Sequence, residues 1–308
     1  MGMKMKNILK YKGDGLLVTG ASGHSARYFF EKLNAENYNK EIKCLIRKGS
    51  KIAHLKRYRL KLNFIEVDFN DVVDLKKSMK GSKTVLHIAS IKLSANVIKA
   101  GSEIGVDWFI CVHTTGRYSK FESASAKYIE IEDKLIKQHS NLTILRPTLI
   151  YGSSSDRNFW RLIEFINTYS FFPVFGSGKN LMQPVNAEDL GSAYLKVLKN
   201  KSSCYGKQYN LSGRDRISYL SILREISVAL DKKVFFIHLP MWLSIMGAWL
   251  GKMILRTRFP ISVEQVLRMN EDRSFSYEDA KNDFGYSPMK FKRGILREVR
   301  ELRQNLDG

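Results

Sequence analysis

An apolar run, Leu16-Leu17-Val18-Thr19, ends in a glycine-rich turn, Gly20-Ala21-Ser22-Gly23-His24-Ser25-Ala26, and that turn opens into helical spacing at Tyr28-Phe29-Phe30-Glu31-Lys32-Leu33. This order of strand, turn and helix constrains the chain more than any other feature. Gly20 lets the backbone leave the strand sharply. Gly23 lets it come close to a ligand, and small Ala26 lets the helix pack near the strand. The turn leaves free amides and the positive end of a helix dipole facing outward, a setting for a dinucleotide pyrophosphate. Thr19, Ser22, His24 and Ser25 flank the glycines and are candidates for that contact. Glycine-rich turns also serve as plain connections. The strand before this one, and the repeats after it, favour the ligand reading.

Those repeats are short apolar segments alternating with helical ones. Glu41–Arg47, Leu62–Asp68, Thr84–Ala89, Trp108–Val112 and Leu142–Pro147 read as strands two to six. Helices are expected near Val72–Met79, Ile91–Ile104, Ala124–His139 and Asn158–Thr168. The pattern is that of an α/β fold with a doubly wound parallel sheet. Beyond residue 152 it loosens. Phe171–Gly178 reads as a Phe/Pro/Gly loop, and helices follow at Ala187–Leu198, Tyr219–Leu230, Met241–Ile254, Val263–Met269 and Tyr277–Asn282. This predicts a nucleotide-binding domain over 1–175 and a smaller α+β substrate-side region over 176–308, partly interleaved with it.

The chain has 308 residues and 44% hydrophobic content, enough for a substantial core. Its three cysteines, Cys44, Cys111 and Cys204, are odd in number and widely spaced, so no disulfide framework or metal-ligand spacing is present. Cys44 and Cys111 sit in apolar runs and read as buried thiols, which suits a reducing cytoplasm. The N-terminus lacks the apolar stretch of a signal peptide, and Gly2 lacks the Ser/Thr of a myristoylation signal. The net charge of +21 favours anionic partners such as nucleotides and sugar phosphates, or a lysine-biased proteome. Basic residues are spread along the chain, which argues against a dedicated nucleic-acid binder.

Several further segments carry a resemblance. Thr19-Gly20-x-x-Gly23-x-x-Ala26, Val67-Asp68 followed by Phe69, His87-Ile88-Ala89-Ser90, Leu145–Gly152 with Pro147, Thr148 and Ile150, Gln183–Leu190, and Phe284–Pro288 fall in sequence order. Together they resemble the short-chain dehydrogenase/reductase superfamily, in its extended or atypical epimerase/dehydratase-like branch, over nearly the whole chain. The resemblance implies a Rossmann domain with a smaller C-terminal α+β substrate domain. It also implies an adenine contact at Asp68, and a nicotinamide half near Ala89, Ser90, Pro147, Thr148 and Ile150. In such folds an acid after strand two suits NAD, while an arginine suits the extra phosphate of NADP. Strand two here ends Ile46-Arg47-Lys48 with no acid following. Arg47 can fork two hydrogen bonds to a phosphate and Lys48 adds a charge, so NADP is expected over NAD.

The family's usual catalyst is a Tyr-x-x-x-Lys pair before strand six, with a Ser or Thr ending strand five. The hydroxyl is present, in Val112-His113-Thr114-Thr115-Gly116, with Thr114 placed to meet substrate and Thr115 to act in catalysis. The pair is absent: by the family pattern Ala124 falls near the tyrosine slot and Tyr128 near the lysine slot. Tyr118 and Tyr128 are the phenols close by, as replacement acids or as cleft lining, with Lys120 and Lys127 beside them. His113 reads as a hydrogen-bonded core histidine. Past strand six, Arg157 and Asn158 are candidates to hold a diphosphate or sugar, while Asp156 reads equally as a helix cap.

Two function classes follow. One is an NAD(P)-dependent epimerase, dehydratase or reductase that moves hydride on a nucleotide sugar or similar phosphorylated substrate. The other is an NADP-binding sensor or assembly factor that has lost the pair. Residues 239–258 carry Trp242, Ile245, Met246, Trp249, Leu250 and Met253 at mainly helical spacing, with Lys252, Arg256 and Arg258 nearby. They read as a core helix, or as an interfacial helix on the inner face of an anionic membrane. A homodimer is left open.

Overall fold

The computed structural model describes residues 13, 15–153, 156, 159–255 and 262–306. Strands β1 (Leu16–Thr19), β2 (Glu41–Ile46), β3 (Lys61–Glu66), β4 (Thr84–His87), β5 (Trp108–Val112) and β6 (Leu142–Pro147) form most of one sheet. Short strands β7 (Ile150–Tyr151), β8 (Phe171–Phe175), β9 (Leu181–Met182) and β10 (Val185–Asn186) follow. Then come β11 (Gln208–Leu211), β12 (Ile217–Ser218) and β13 (Phe235–Leu239). The main sheet has seven strands in the order β11-β6-β5-β4-β1-β2-β3, and every pairing in it is parallel. Central strands β1, β4, β5 and β6 are buried along their whole length, as a parallel sheet covered on both faces requires. The fold is the doubly wound Rossmann type that the sequence predicts.

Helices fill the two faces. On one, α1 (His24–Ala35) packs against α6 (Ala187–Lys199). Phe29, Phe30, Leu33, Leu190 and Tyr194 close over Leu16, Val18 and Leu145. Gly191 makes that contact close, because a Cβ there would stand 2.6 Å from the α1 backbone at Tyr28 and Phe29. On the other face α2 (Val72–Met79), α3 (Ser94–Glu103) and α4 (Glu122–Gln138) cover Leu17, Val85, Phe109 and Ile144.

The remaining helices are α5 (Phe159–Thr168), α7 (Lys201–Cys204), α8 (Tyr219–Ala229), α9 (Met241–Leu255), α10 (Val263–Arg268), α11 (Glu278–Phe284) and α12 (Phe291–Leu306). A third core joins α5, α8 and α12 with Tyr151, Phe172 and Val174. A cut at 175/176 does not follow this packing. Strand β11 and helix α6 belong to the first unit, while α5 belongs to the second. All three cysteines are buried free thiols.

One expectation is corrected outright. Phe171–Phe175 is not a loop but strand β8, paired in parallel with β13. The pair stands alone, so Pro173, opposite Ile237, sits where a missing N–H is tolerated.

The chain runs outward from β1 through β2 and β3, then crosses back to β4 and runs the other way. The reversal leaves a crevice at the carboxyl ends of β1 and β4, where ligands sit in open α/β sheets.

Candidate nucleotide and substrate cleft

The glycine turn stands at this crevice. Gly20 has φ +74°, and a Cβ there would meet the Ala89 amide at 2.7 Å. Both the left-handed backbone and the passing β4 segment therefore demand glycine. The Gly23 amide donates to the Gly20 carbonyl at 2.9 Å, closing the turn. Helix α1 begins without a side-chain cap and without an acid in its first turn. Its leading amides thus face the crevice unanswered, the condition for receiving an anion. Ala26 and Ser25 are buried under the turn, and the Tyr194 hydroxyl donates to Ser25 at 3.0 Å.

His87 fastens the floor. Its ring is fully buried, 2.6 Å from the Thr19 hydroxyl through Nδ1 and 3.3 Å from the Ser90 carbonyl through Nε2. Burial pushes its pKa down to about 3, with the charge of His113 adding to the effect, so it is a neutral link between β1 and β4. His24 is similar: burial and then Arg27 lower its pKa to about 4, and its Nε2 is 2.7 Å from the Ser153 hydroxyl.

Two openings flank the turn. One, of about 510 Å³, is lined by Arg47, Lys48, Glu66, Asp68, Phe69 and Asp74 among others. Asp68 is exposed and accepts from the Asn70 amide at 2.9 Å, and Phe69 is buried beneath it. Arg47 and Lys48 are exposed, and among the described residues neither side chain is in an ion pair. Arg27 was passed over in the sequence. Its Nε is buried with no hydrogen-bond partner among the described residues. Its charge depresses the pKa of His54, whose own burial is the larger cause.

The other opening, of about 460 Å³, is the deeper cleft. Its walls include Gly23, His24, Ser25, Ile88, Thr114, Thr115, Tyr118, Thr148, Ile150 and Asp156 from the first unit, and Arg268, Glu271, Arg273 and Phe275 from the second. Thr114 caps the turn Thr115–Tyr118 through the Gly116 amide at 3.0 Å, and the Thr115 hydroxyl donates to the Pro147 carbonyl at 3.2 Å. Thr148 is held by a hydrogen bond to the Gln183 carbonyl. Ala89 and Ser90 follow β4 at the floor, and Ser90 caps the turn Ile91–Leu93. Asp156 accepts from the Phe159 amide at 2.9 Å and so caps α5, although it also reaches the cleft. Arg157 and Asn158 lie outside the described residues, as do Arg256 and Arg258.

The two candidate phenols separate here. Tyr118 lines the cleft, packs on Phe275 at 5.1 Å between ring centres, and accepts from Arg146 Nη1 at 3.1 Å. Tyr128 is a layer behind, its ring 3.8 Å from where a Gly116 Cβ would stand, and it is not among the lining side chains.

What holds Tyr118 is a buried ion cluster whose members are too far apart along the chain to be read as one group. Glu132 on α4 is fully buried and accepts from His113 Nδ1 at 2.8 Å, from Arg146 Nε at 2.8 Å, and from Arg117. Burial alone would raise its pKa. Hydrogen bonds from His113 and Arg146, with their charges, outweigh burial and hold it down at about 2. His113 also meets the Ser94 hydroxyl at 3.1 Å, so it is a core residue outside the cleft. The cluster locks the carboxyl ends of β5 and β6 and helix α4 into one geometry.

A family model described as NAD(P)H-binding matches residues 20–158. The chain is similar to proteins of the extended short-chain dehydrogenase/reductase, epimerase/dehydratase-like kind. It is 22% identical over 286 residues to short-chain dehydrogenase/reductase family 42E member 1 of Danio rerio, covering 74% of each chain. It is 25% identical over 155 residues to the mitochondrial NADH dehydrogenase [ubiquinone] 1 alpha subcomplex subunit 9 of Arabidopsis thaliana, covering 49% of this chain but only 38% of that one. Among solved structures, UDP-glucuronic acid 4-epimerase from Bacillus cereus, in complex with UDP-glucuronic acid and NAD, superposes with a TM-score of 0.72. That match has 18% identity and covers 94% of this chain and 99% of the other. The Rossmann-type fold is shared with these structures, and the NAD(P)H-binding model matched over residues 20–158 supports a nicotinamide cofactor.

Proposed function

We propose that this chain is an NADP-dependent oxidoreductase of the epimerase/dehydratase type, acting by hydride transfer on a nucleotide-linked sugar or a similar phosphorylated substrate. The observation that carries the reading is the uncapped, acid-free start of α1, set between an opening edged by Arg47, Lys48 and Asp68 and a hydroxyl-lined cleft. The amides of Ser22–Ser25 would hold the pyrophosphate. Asp68 and Phe69 would flank the adenosine, and Arg47 and Lys48 would take the additional phosphate. The nicotinamide half would rest among Ile88, Ala89, Ser90, Thr148 and Ile150. Bound there, the cofactor supplies or accepts a hydride.

In the reductive direction a substrate carbonyl gains hydride at carbon and a proton at oxygen. Tyr118 would give that proton, and the guanidinium of Arg146 would stabilise the phenolate left behind; Tyr118 lining the cleft with Arg146 against its hydroxyl supports this. Thr114 and Thr115 would orient the carbonyl. Arg268 and Arg273, across the cleft, would meet the substrate's phosphate.

The lost Tyr-x-x-x-Lys pair supports a second reading, an NADP-binding sensor or assembly factor without turnover. Two measurements decide between them. Calorimetric titration should show NADPH bound at least tenfold tighter than NADH, with Arg47→Ala removing most of that preference. Equal binding, or a preference that survives Arg47→Ala, refutes the cofactor assignment. In a screen of nucleotide sugars, Tyr118→Phe should lower the rate by roughly 100-fold or more while Tyr128→Phe leaves it within a few-fold. NADPH binding without turnover of any substrate favours the sensor.

A further inference from the structure

Helix α9 is built inside out. Along its inward side run Ser244 and Ala248, both buried, with Gly251 half-buried one turn on. Its bulky apolar residues point to solvent: Trp242 is 66% exposed, Trp249 56%, Met253 64% and Ile254 74%, with Leu243, Met246 and Leu250 also exposed. A helix of a water-facing surface does the reverse and buries its large side chains. The favoured sequence expectation, a core helix, therefore fails, because small residues make the contact with the protein and leave the large ones outside.

The patch does not stop at α9. Strand β13 leads directly into it and exposes Phe235 and Ile237 on one side, and Phe171 of β8, in register with Phe235, is exposed as well. A cavity of about 630 Å³ lies alongside, lined by Phe165, Phe172, Phe175, Met182 and Met269 among others. Asn270, next to Met269, touches Met241 at the start of α9. Leu149 lines both this cavity and the polar cleft.

We infer that this chain docks on an anionic lipid bilayer through the exposed face of α9 and the β8–β13 edge, lying in the interface. Charge selects the bilayer over a second copy of the chain. From Lys232 to Leu255 the described chain has no carboxylate, but it has Lys232, Lys233 and Lys252. Two such faces repel each other, whereas anionic headgroups attract them. Among the described residues, length argues against a crossing. The 15 residues of α9 reach about 22 Å, against about 30 Å of hydrocarbon, and no described helix is long and apolar enough to span. Docked at the acyl boundary, the patch brings the apolar cavity to the hydrocarbon and leaves the polar cleft on its far side, sharing Leu149.

The test is co-sedimentation of the full chain with vesicles of phosphatidylethanolamine and phosphatidylglycerol, and with vesicles of phosphatidylcholine alone. Neither cofactor nor substrate is present, so the outcome is independent of the redox reading. The expected result is binding to the anionic vesicles, weaker in high salt and on phosphatidylcholine, with tryptophan emission quenched by brominated acyl chains. Trp249→Glu and Met253→Glu, each checked for an unchanged melting temperature, should each lower partitioning roughly tenfold. Three outcomes overturn the inference. One is absence of vesicle binding. Another is binding that neither variant weakens, which would mean charge alone acts. The third is a wild-type dimer that both variants dissociate without vesicle binding, which would mean a second copy covers the face.

Discussion

Glu298 on α12 is 1% exposed, and neither carboxylate oxygen has a hydrogen-bond partner among the described residues. Burial, then the negative charge of Asp156, raises its pKa from 4.5 to about 9; the Gly152 backbone pulls it down less than these push it up, and Glu301 adds to the rise. In the folded chain it is therefore a neutral acid at pH 7, whereas in the unfolded chain it is ionised. The sign follows from that difference. Below pH 4.5 the group is protonated in both states and costs nothing. As pH rises, the unfolded state gains by losing the proton and the folded state does not, so stability falls until the folded pKa is passed. At 1.36 kcal/mol per pH unit, the loss accumulated between pH 4.5 and 7 is about 3 kcal/mol. Glu298→Gln keeps the shape and removes the titration. It should match the wild type at pH 4 and exceed it by about 3 kcal/mol at pH 7, a rise in Tm of roughly 5–10 °C. Thermal melts of both proteins from pH 4 to 8 measure this directly. Parallel Tm curves, or a Gln variant that is the less stable at pH 8, would show that Glu298 is ionised and partnered, and the reasoning would fail.

Two other predictions rest on packing and charge. Glu132→Gln leaves Arg117, Arg146 and His113 facing an amide in a buried site, and should destabilise the chain by about 3–5 kcal/mol in denaturant melts. Gly191→Ala drives a methyl into the backbone of α1, which cannot yield as a side chain can, so a loss of about 1–3 kcal/mol is expected in the same assay.

The first unit was legible because its signals are local. The helix expected over Val72–Met79 and the strand over Leu142–Pro147 occur with those bounds, since each segment states its own period and its own stop. The second unit was less so. Strand β8 carries a proline and its partner lies some sixty residues downstream, so neither alternation nor a turn announces the pair. Helix α12 was legible and missed: Phe291, Ile295, Val299 and Leu302 keep helical spacing among the charges, and all are buried. For α9 the period was plain but the direction was not. Sequence gives a stripe, and only the packing of Ser244 and Ala248 tells which side of it meets protein.

The altered catalytic region shows why a missing motif does not by itself decide between enzyme and binding protein. A tyrosine–lysine pair works because a cation beside the phenol stabilises its anion, and that relation is spatial before it is sequential. In the proposed mechanism the cation comes from Arg146 on β6 and the phenol from the turn after β5, twenty-eight positions apart. Glu132 holds Arg146 through Nε and Gln208 holds Nη2, so Nη1 is the guanidinium nitrogen left to meet the Tyr118 hydroxyl. A structural ion cluster needs none of its members at the mouth of a cleft. This one holds Glu132, His113 and Arg146 in the core and sends a contact from Arg146 out to a ring that lines the cleft together with Arg268 and Arg273. That outward arm gives Tyr118 rather than Tyr128 the stronger claim to the proton.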